Sequence, residues 1–143
     1  MDNLFSKDRL HFAAQNGNVE EIKQIVAEGC DINRFDDIGY TPLHYAIKVE
    51  NLEVAQLLIN MGADVNAHDS DRAGNTPLAE VAKNCSFEVA RFLIENGADP
   101  TIPGWMGLSA LDRASNRKKP EGRRVYELLV DRKTNPIRYT TRS

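Results

Sequence analysis

The sequence repeats itself at an interval of about 33 residues, and this periodicity restricts the possible folds more than any other feature. The four similar segments begin at Asp8, Thr41, Thr76 and Ser109. Their starts are separated by 33, 35 and 33 residues. The additional residues lie in two places only, around positions 69–70 and 118–120. Insertions confined to loops are typical of an array of repeats, so we predict that neighbouring repeats share one continuous core.

Each repeat has the pattern of a helix, a turn, a second helix and an extended loop. Thr41 is suited to cap the first helix, and Pro42 fits the first helical position, where a missing N–H costs nothing. The second helix begins near Asn51 and has apolar residues at helical spacing. Gly62 follows that helix, at the position where a left-handed residue often ends a helix. The pattern predicts an all-α chain.

Two motifs resemble those of a known family. Thr41-Pro42-Leu43-His44-Tyr45-Ala46 and Gly62-Ala63-Asp64-Val65-Asn66-Ala67 are similar to the ankyrin repeat, and the resemblance covers about residues 4–137. It implies an all-α ankyrin-repeat solenoid of stacked helix-turn-helix units with β-hairpin-like loops. The expected organisation is one ankyrin-repeat domain over 1–143, with repeats at about 4–36, 37–69, 72–103 and 105–137 and a tail at 138–143. The first and last repeats depart from the motifs, so we expect them to act as caps.

The resemblance also implies a function, which is the recognition of another protein. The family binds its partners through a concave face made of loop tips and short inner helices. Carried over to this chain, the first set of contact positions is Phe35, Asp37, Ile38, Tyr40, Lys48 and Val49. The second set is His68, Arg72, Ala73, Asn75, Lys83 and Asn84. The third set is Pro103, Trp105, Met106, Leu108, Asn116 and Arg117.

Large apolar residues are concentrated at these positions, where a solvated loop does not require them. Phe35, Tyr40 and Trp105, the only tryptophan, are the predicted anchors, because aromatic residues are enriched at interface hot spots. The alternative for Trp105 is that it folds over Leu108 as part of the core. The alternative for Phe35 and Tyr40 is that they pack against the neighbouring loop.

The charge of the chain is distributed unevenly. Residues 1–100 have 8 Lys and Arg against 17 Asp and Glu, whereas residues 101–143 have 10 against 4. The basic residues of 113–124 could contact an acidic ligand or a nucleic acid, and the alternative is a solvated basic loop. Nucleic-acid binding is disfavoured by the acidic remainder of the chain.

No pattern in the sequence indicates an enzyme. There is no Gly-rich phosphate loop and no Gly-x-Ser-x-Gly motif. His11 and His44 occupy a position whose histidine, by the resemblance, hydrogen-bonds the loop backbone. Cys30 and Cys85 are expected to be free thiols. We therefore predict no catalytic residue, no metal site and no cofactor.

The sequence predicts a binding module that grips a partner protein of unknown identity. One alternative is an inhibitor or immunity-type protein that blocks a toxin or enzyme active site, and another is an acidic-ligand or nucleic-acid contact through the basic C-terminal cap. Without a signal peptide or a membrane-spanning run in the sequence, we expect a soluble, cytoplasmic protein that is monomeric and does not insert into a membrane.

Overall fold

The fold was determined as a computed structural model that describes residues 8–72 and 74–140, with side chains up to residue 138. Ala73, the first residues of the predicted first repeat and the end of the predicted tail lie outside the described residues. Within the described ranges every regular element is helical and no strand occurs, so the all-α prediction is confirmed. The described helices are too short or too polar to cross a membrane.

The chain divides into two compact units, residues 1–64 and residues 65–143. The helices of the first unit are α1 (Arg9–Asn16), α2 (Val19–Ala27), α3 (Pro42–Lys48) and α4 (Leu52–Asn60). Helix α1 packs against α2 and α3, and α3 packs against α4. Ile22, Ile25 and Ile47 are fully buried and belong to the core of this unit.

The second unit continues the alternation of short and long helices. Its helices are α5 (Pro77–Val81), α6 (Phe87–Glu95), α7 (Ala110–Ala114), α8 (Pro120–Thr134) and α9 (Ile137–Thr140), with short 3-10 turns at Ser70–Arg72 and Trp105–Gly107. Helix α5 packs against α7, and α8 packs against both α6 and α7. Leu78, Leu93 and Leu129 are fully buried. Cys85 is buried and Cys30 is exposed, and both thiols are free, as predicted.

The short helices begin at the caps that the sequence predicts. Thr41 Oγ1 accepts a hydrogen bond from the backbone N–H of His44, and His44 Nδ1 accepts one from the backbone N–H of Thr41. Ser109 and Asp112 form the same reciprocal pair at α7. The hydrogen bond from the Ser109 backbone N–H lowers the pKa of Asp112, because it stabilises the carboxylate. These pairs satisfy helix N–H groups that have no partner inside the helix.

An asparagine side chain joins each of two loops to the loop one repeat further on. Asn33 Nδ2 donates to Gly62 O at 3.2 Å, and Asn33 Oδ1 accepts from Asp64 N at 2.7 Å. In the second unit, Asn66 makes the equivalent bonds to Gly97 O at 3.1 Å and Asp99 N at 2.8 Å. Each amide thus satisfies one carbonyl and one N–H of a loop that has no strand to pair them.

We expect the bridge in the second unit to make a measurable contribution to stability. Asn66→Ala removes both hydrogen bonds and leaves their backbone partners in a half-buried site, so the free energy of unfolding should fall by about 1–3 kcal/mol. Urea denaturation followed by circular dichroism measures this change. The control Asn60→Ala changes an exposed asparagine of α4, where an effect within about 0.5 kcal/mol is expected. Equal effects of the two substitutions would contradict the role of the bridge.

The turn between the two helices of a repeat requires a left-handed residue. Gly17 has φ +75° after α1, and Glu50, 33 residues later, has φ +57° after α3. A residue with a Cβ is disfavoured there by about 1–2 kcal/mol, partly offset by the greater chain entropy that glycine loses on folding.

Glu50→Gly should therefore stabilise the protein by about 0.5–1 kcal/mol in urea denaturation. Gly17→Ala should do the opposite, since its Cβ would also come within 3.1 Å of Asn51 Nδ2. A Glu50→Gly variant that is less stable than the parent would show that the Glu50 side chain stabilises the turn.

Candidate functional site

The loop at residues 35–40 of the first unit is a tight turn held by its own backbone and by one carboxylate. Asp36 N donates to Tyr40 O at 2.8 Å, and Gly39 N donates to Asp36 O at 3.0 Å. Asp36 Oδ1 also accepts from the backbone N–H groups of Ile38 and Tyr40. Asp37 and Ile38 consequently lie at the tip, both are exposed, and 62% of Ile38 is accessible.

The aromatic residues next to this tip pack on the protein itself. Tyr40 stacks on His44 with ring centroids 5.3 Å apart, and its ring meets the ring of Tyr45 edge-on at 5.5 Å. The exposed Lys48 places its Nζ 4.7 Å from the centroid of the Tyr40 ring. Phe35 is half-buried as well. Tyr40 thus packs on residues of α3, whereas the alternative from the sequence was packing against the neighbouring loop. A contact of Phe35 or Tyr40 with a partner stays a prediction.

Polar contacts from α1 and α3 hold the same loop in place. His11 Nε2 lies 3.0 Å from both Arg34 O and Tyr40 O, which is the backbone contact that the resemblance implies. The Tyr45 hydroxyl donates to Asp36 Oδ2. Burial, followed by this hydrogen bond, raises the pKa of Tyr45 well above its ordinary value, so the phenol keeps its proton and remains a donor.

In the middle loop, at residues 66–74, polar side chains make contacts within the loop itself. His68 is half-buried, with Nδ1 3.0 Å from Asn66 O. Arg72 Nη1 lies 2.7 Å from Asp69 Oδ2, and the Asp69 carbonyl accepts the backbone N–H groups of Arg72 and Gly74. Lys83, after α5, is exposed. Across residues 8–72 and 74–140, no group of three or more His, Cys, Asp or Glu side chains is placed to hold a metal ion.

The third loop presents two large apolar side chains at its tip. Gly104 N donates to Leu108 O and Gly107 N donates to Gly104 O, each at 2.9 Å. Trp105 and Met106 are 56% and 70% exposed, and Leu108 is 39% exposed. Trp105 is therefore outside the buried core, in contrast to the alternative of a residue folded into the cap. Met106 has φ +61°, a left-handed conformation that is uncommon for a residue with a side chain.

This tip is supported by side chains from other elements. Asn75 Oδ1 accepts from Trp105 N at 2.9 Å, and Arg113 Nη2 donates to Trp105 O at 2.7 Å. Asn75 Nδ2 donates to Glu80 Oε1 at 3.1 Å. A Cβ on Gly104 would lie 2.2 Å from Asn75 Oδ1, so only glycine allows this close approach. Asn75, predicted as a contact residue, thus supports the tip from behind. No pattern in the sequence indicates the roles of Glu80 and Gly104.

The remaining predicted positions differ in their exposure and in their contacts with the rest of the protein. Arg117 is half-buried and donates from Nη1 to Ala82 O at 3.3 Å. Val49 is 47% exposed at the end of α3. Asn84, Pro103 and Asn116 are exposed. The sequence interpretation did not include Phe12, which is 50% exposed. Its position, 33 residues before Tyr45 on an inner helix, could have identified it.

Comparison with known proteins assigns the family. A family model described as ankyrin repeats (3 copies) matches residues 2–69, and a second, described as ankyrin repeats (many copies), matches residues 58–114. Together with the all-α fold, these matches show that the chain belongs to the ankyrin-repeat family.

Several relatives share parts of the chain. Human protein phosphatase 1 regulatory subunit 27 is 42% identical over 62 residues, which are 43% of this chain and 40% of that protein. The potassium channel AKT1 of Arabidopsis thaliana is 42% identical over 62 residues, 41% of this chain and 7% of the channel. The putative ankyrin repeat protein FPV223 of fowlpox virus is 38% identical over 50 residues, 35% of this chain and 36% of the viral protein. The matched region thus spans two fifths or less of each of these proteins.

Because Trp105 is the only tryptophan, its fluorescence reports directly on the tip. Asn75→Ala removes an acceptor from the Trp105 backbone, so we expect faster local motion of the indole, seen as lower time-resolved fluorescence anisotropy and stronger acrylamide quenching. The unfolding free energy should fall by about 0.5–1.5 kcal/mol. The control Asn84→Ala alters an exposed asparagine after α5 and should change neither signal. Unchanged anisotropy in Asn75→Ala would show that the tip does not depend on this contact.

Proposed function

We propose that this chain is a binding module for another protein and that the Trp105–Met106 tip is a principal contact. The observation that carries the proposal is the exposure of both side chains, 56% and 70%, on a turn held from behind by Asn75 and Arg113. Tryptophan and methionine are enriched at protein interfaces, and exposed apolar groups on a monomer commonly mark a contact surface. A turn already held in one conformation loses little entropy when a partner binds.

The backbone at Met106 supports a role for its side chain. Glycine or asparagine would adopt φ +61° at lower energy, yet this position carries a long apolar side chain that is 70% exposed. Exposure excludes a contribution of Met106 to the core. Backbone strain at an exposed position is consistent with a contact that functions outside the folded chain.

The other predicted contacts extend the proposal within each unit. Ile38 occupies the tip position that corresponds to Met106 and is exposed to a similar degree, so it is the main apolar contact proposed for the first unit. The proposed contacts are Phe35, Asp37, Ile38, Tyr40 and Lys48 in the first unit, and His68, Arg72, Asn75, Lys83, Trp105, Met106 and Arg117 in the second. Several of them also have side-chain contacts within the fold, so their substitution would test folding as well as binding. These are Tyr40, Lys48, His68, Arg72, Asn75 and Arg117.

The relatives are consistent with binding and do not identify the partner. One is named a regulatory subunit of a protein phosphatase, a name that describes association with another protein. Others carry the shared segment within proteins named for a channel or a ribonuclease.

The proposal predicts that alanine at the tip removes partner binding without unfolding the chain. Affinity capture from a lysate of the native cells, with quantitative mass spectrometry, should recover a protein with the parent chain that is lost with Trp105→Ala/Met106→Ala. With that protein purified, the double variant should bind at least tenfold more weakly, since hot-spot truncations cost about 2 kcal/mol or more. Titration into the parent chain should shift the Trp105 emission to shorter wavelength as the indole leaves water.

The matched control is Ile137→Ala, which truncates another exposed apolar residue of the second unit, 75% accessible. Its capture profile should equal that of the parent. A tip variant that retains the native circular dichroism spectrum and the parent affinity would overturn the assignment of the tip. Ile38→Ala tests the first unit in the same way.

A further inference from the structure

Besides the Trp105–Met106 tip, the second unit has a group of positively charged side chains near the start of α8. The basic cluster consists of Lys83, Arg117, Lys118, Lys119, Arg123 and Arg124. Arg117 Nη1 donates to Ala82 O at 3.3 Å, which places the segment before α8 beside the end of α5, next to Lys83. Arg123 N donates to Lys119 O at 3.0 Å, so these two residues are one helical turn apart.

The position of Arg117 is built into helix α8. A Cβ on Gly122 would lie 2.6 Å from Arg117 Cβ and 2.6 Å from Arg117 Nε, so the arginine side chain occupies the space that any larger residue would need. Glycine inside a helix is less favourable than alanine by about 1 kcal/mol. Gly122 lies at the point of α8 where the Arg117 side chain crosses the helix. The fold thus determines where Arg117 lies in the cluster.

Two carboxylates near the basic cluster make hydrogen bonds within the fold. Glu121 Oε2 accepts the backbone N–H of Phe87 at 3.0 Å, and the Asp112 carboxylate caps α7. The Arg124 guanidinium lies 4.0 Å from the centroid of the Phe87 ring. In the parts of the chain that the structure describes, the ion pairs do not include any cation of the basic cluster. Lys118, Lys119 and Arg123 are all exposed.

We propose that the basic cluster takes an acidic segment of a protein. It shares Lys83 and Arg117 with the contacts proposed above, but this binding does not use the Trp105–Met106 tip. Like charges held together repel one another, and an anionic ligand relieves that repulsion. Arginine and lysine side chains of this kind bind carboxylates through charge-assisted hydrogen bonds. A short acidic segment fits better than a nucleic acid, because residues 1–100 carry 17 acidic against 8 basic side chains and repel a long polyanion. The Phe87 ring is covered by Arg124, whereas single-stranded nucleic acids use open aromatic faces.

The test is a fluorescence-anisotropy titration of the full chain with a labelled peptide of ten glutamates. We expect saturable binding that weakens as NaCl is raised. Lys118→Gln/Lys119→Gln should weaken binding about threefold to tenfold, as expected for two exposed ion pairs. Trp105→Ala/Met106→Ala should bind the peptide as the parent does, which separates this proposal from the one on the tip.

The charge-matched control is Lys23→Gln/Lys133→Gln, which removes two exposed lysines outside the basic cluster. It should leave the affinity within about twofold of the parent. Lys133 follows Arg124 by nine residues on α8, about 14 Å along the helix, which exceeds the Debye length of about 8 Å, and Lys23 belongs to the first unit. Equal weakening by both double variants, or no binding of the peptide by the parent chain, would overturn the proposal. A single-stranded oligonucleotide or anionic vesicles that bind more tightly than the peptide would overturn the choice of an acidic protein segment.

Discussion

Within each of the two units, a bridge made by one asparagine side chain holds consecutive loops together. Asn33 and Asn66 each donate to a carbonyl and accept from an N–H one repeat further on. A helical repeat has no strand pairing to set the spacing of its loops, so a side chain with both a donor and an acceptor performs that task. The bridge contacts the segment just after the second helix of a repeat. In the second unit, the additional residues around 69–70 lie outside the segments that Asn66 joins.

The two tight loops show how one backbone frame can present different chemistry. In the first, Asp36 holds the turn through its own carboxylate, and the tip carries Asp37 and Ile38. In the third, the position equivalent to Asp36 is Gly104, which has no side chain. Asn75, from the preceding loop, accepts the backbone hydrogen bond of the turn instead. Because Gly104 has no side chain, the Asn75 amide can reach the backbone N–H of Trp105 directly. The polar group that holds the turn is then behind it, and the tip itself is left to apolar side chains.

The sequence predicts local features of this fold well and the support of the site poorly. Thr41 and Pro42 define the start of a helix because capping depends on residues within one turn, and the structure places both as predicted. The repeat period likewise predicts that position 105 belongs to a loop tip. The repeat period does not predict the contact of Asn75 with Trp105, 30 residues away, or that of Arg113 with Asn75, 38 residues away. Such contacts depend on how helices pack. The packing of Tyr40 on His44 is a related case, because a repeat pattern assigns a position to a residue and not the direction of its side chain.

Arg113 and Arg117 explain why cations in the second unit can serve both the fold and a ligand. Each donates a guanidinium N–H to a backbone carbonyl, Arg113 to Trp105 O and Arg117 to Ala82 O. A carbonyl fixes the position of the side chain but does not neutralise its charge, in contrast to a carboxylate partner. The planar guanidinium has five N–H donors, so hydrogen bonds remain available after the first is made. An arginine held in this way keeps its positive field at the surface and loses little side-chain entropy on meeting an anion. Lysine would serve both partners less well, because its three N–H donors share one nitrogen, whereas the five donors of the guanidinium are spread over three nitrogens and can point at the carbonyl and at a ligand separately.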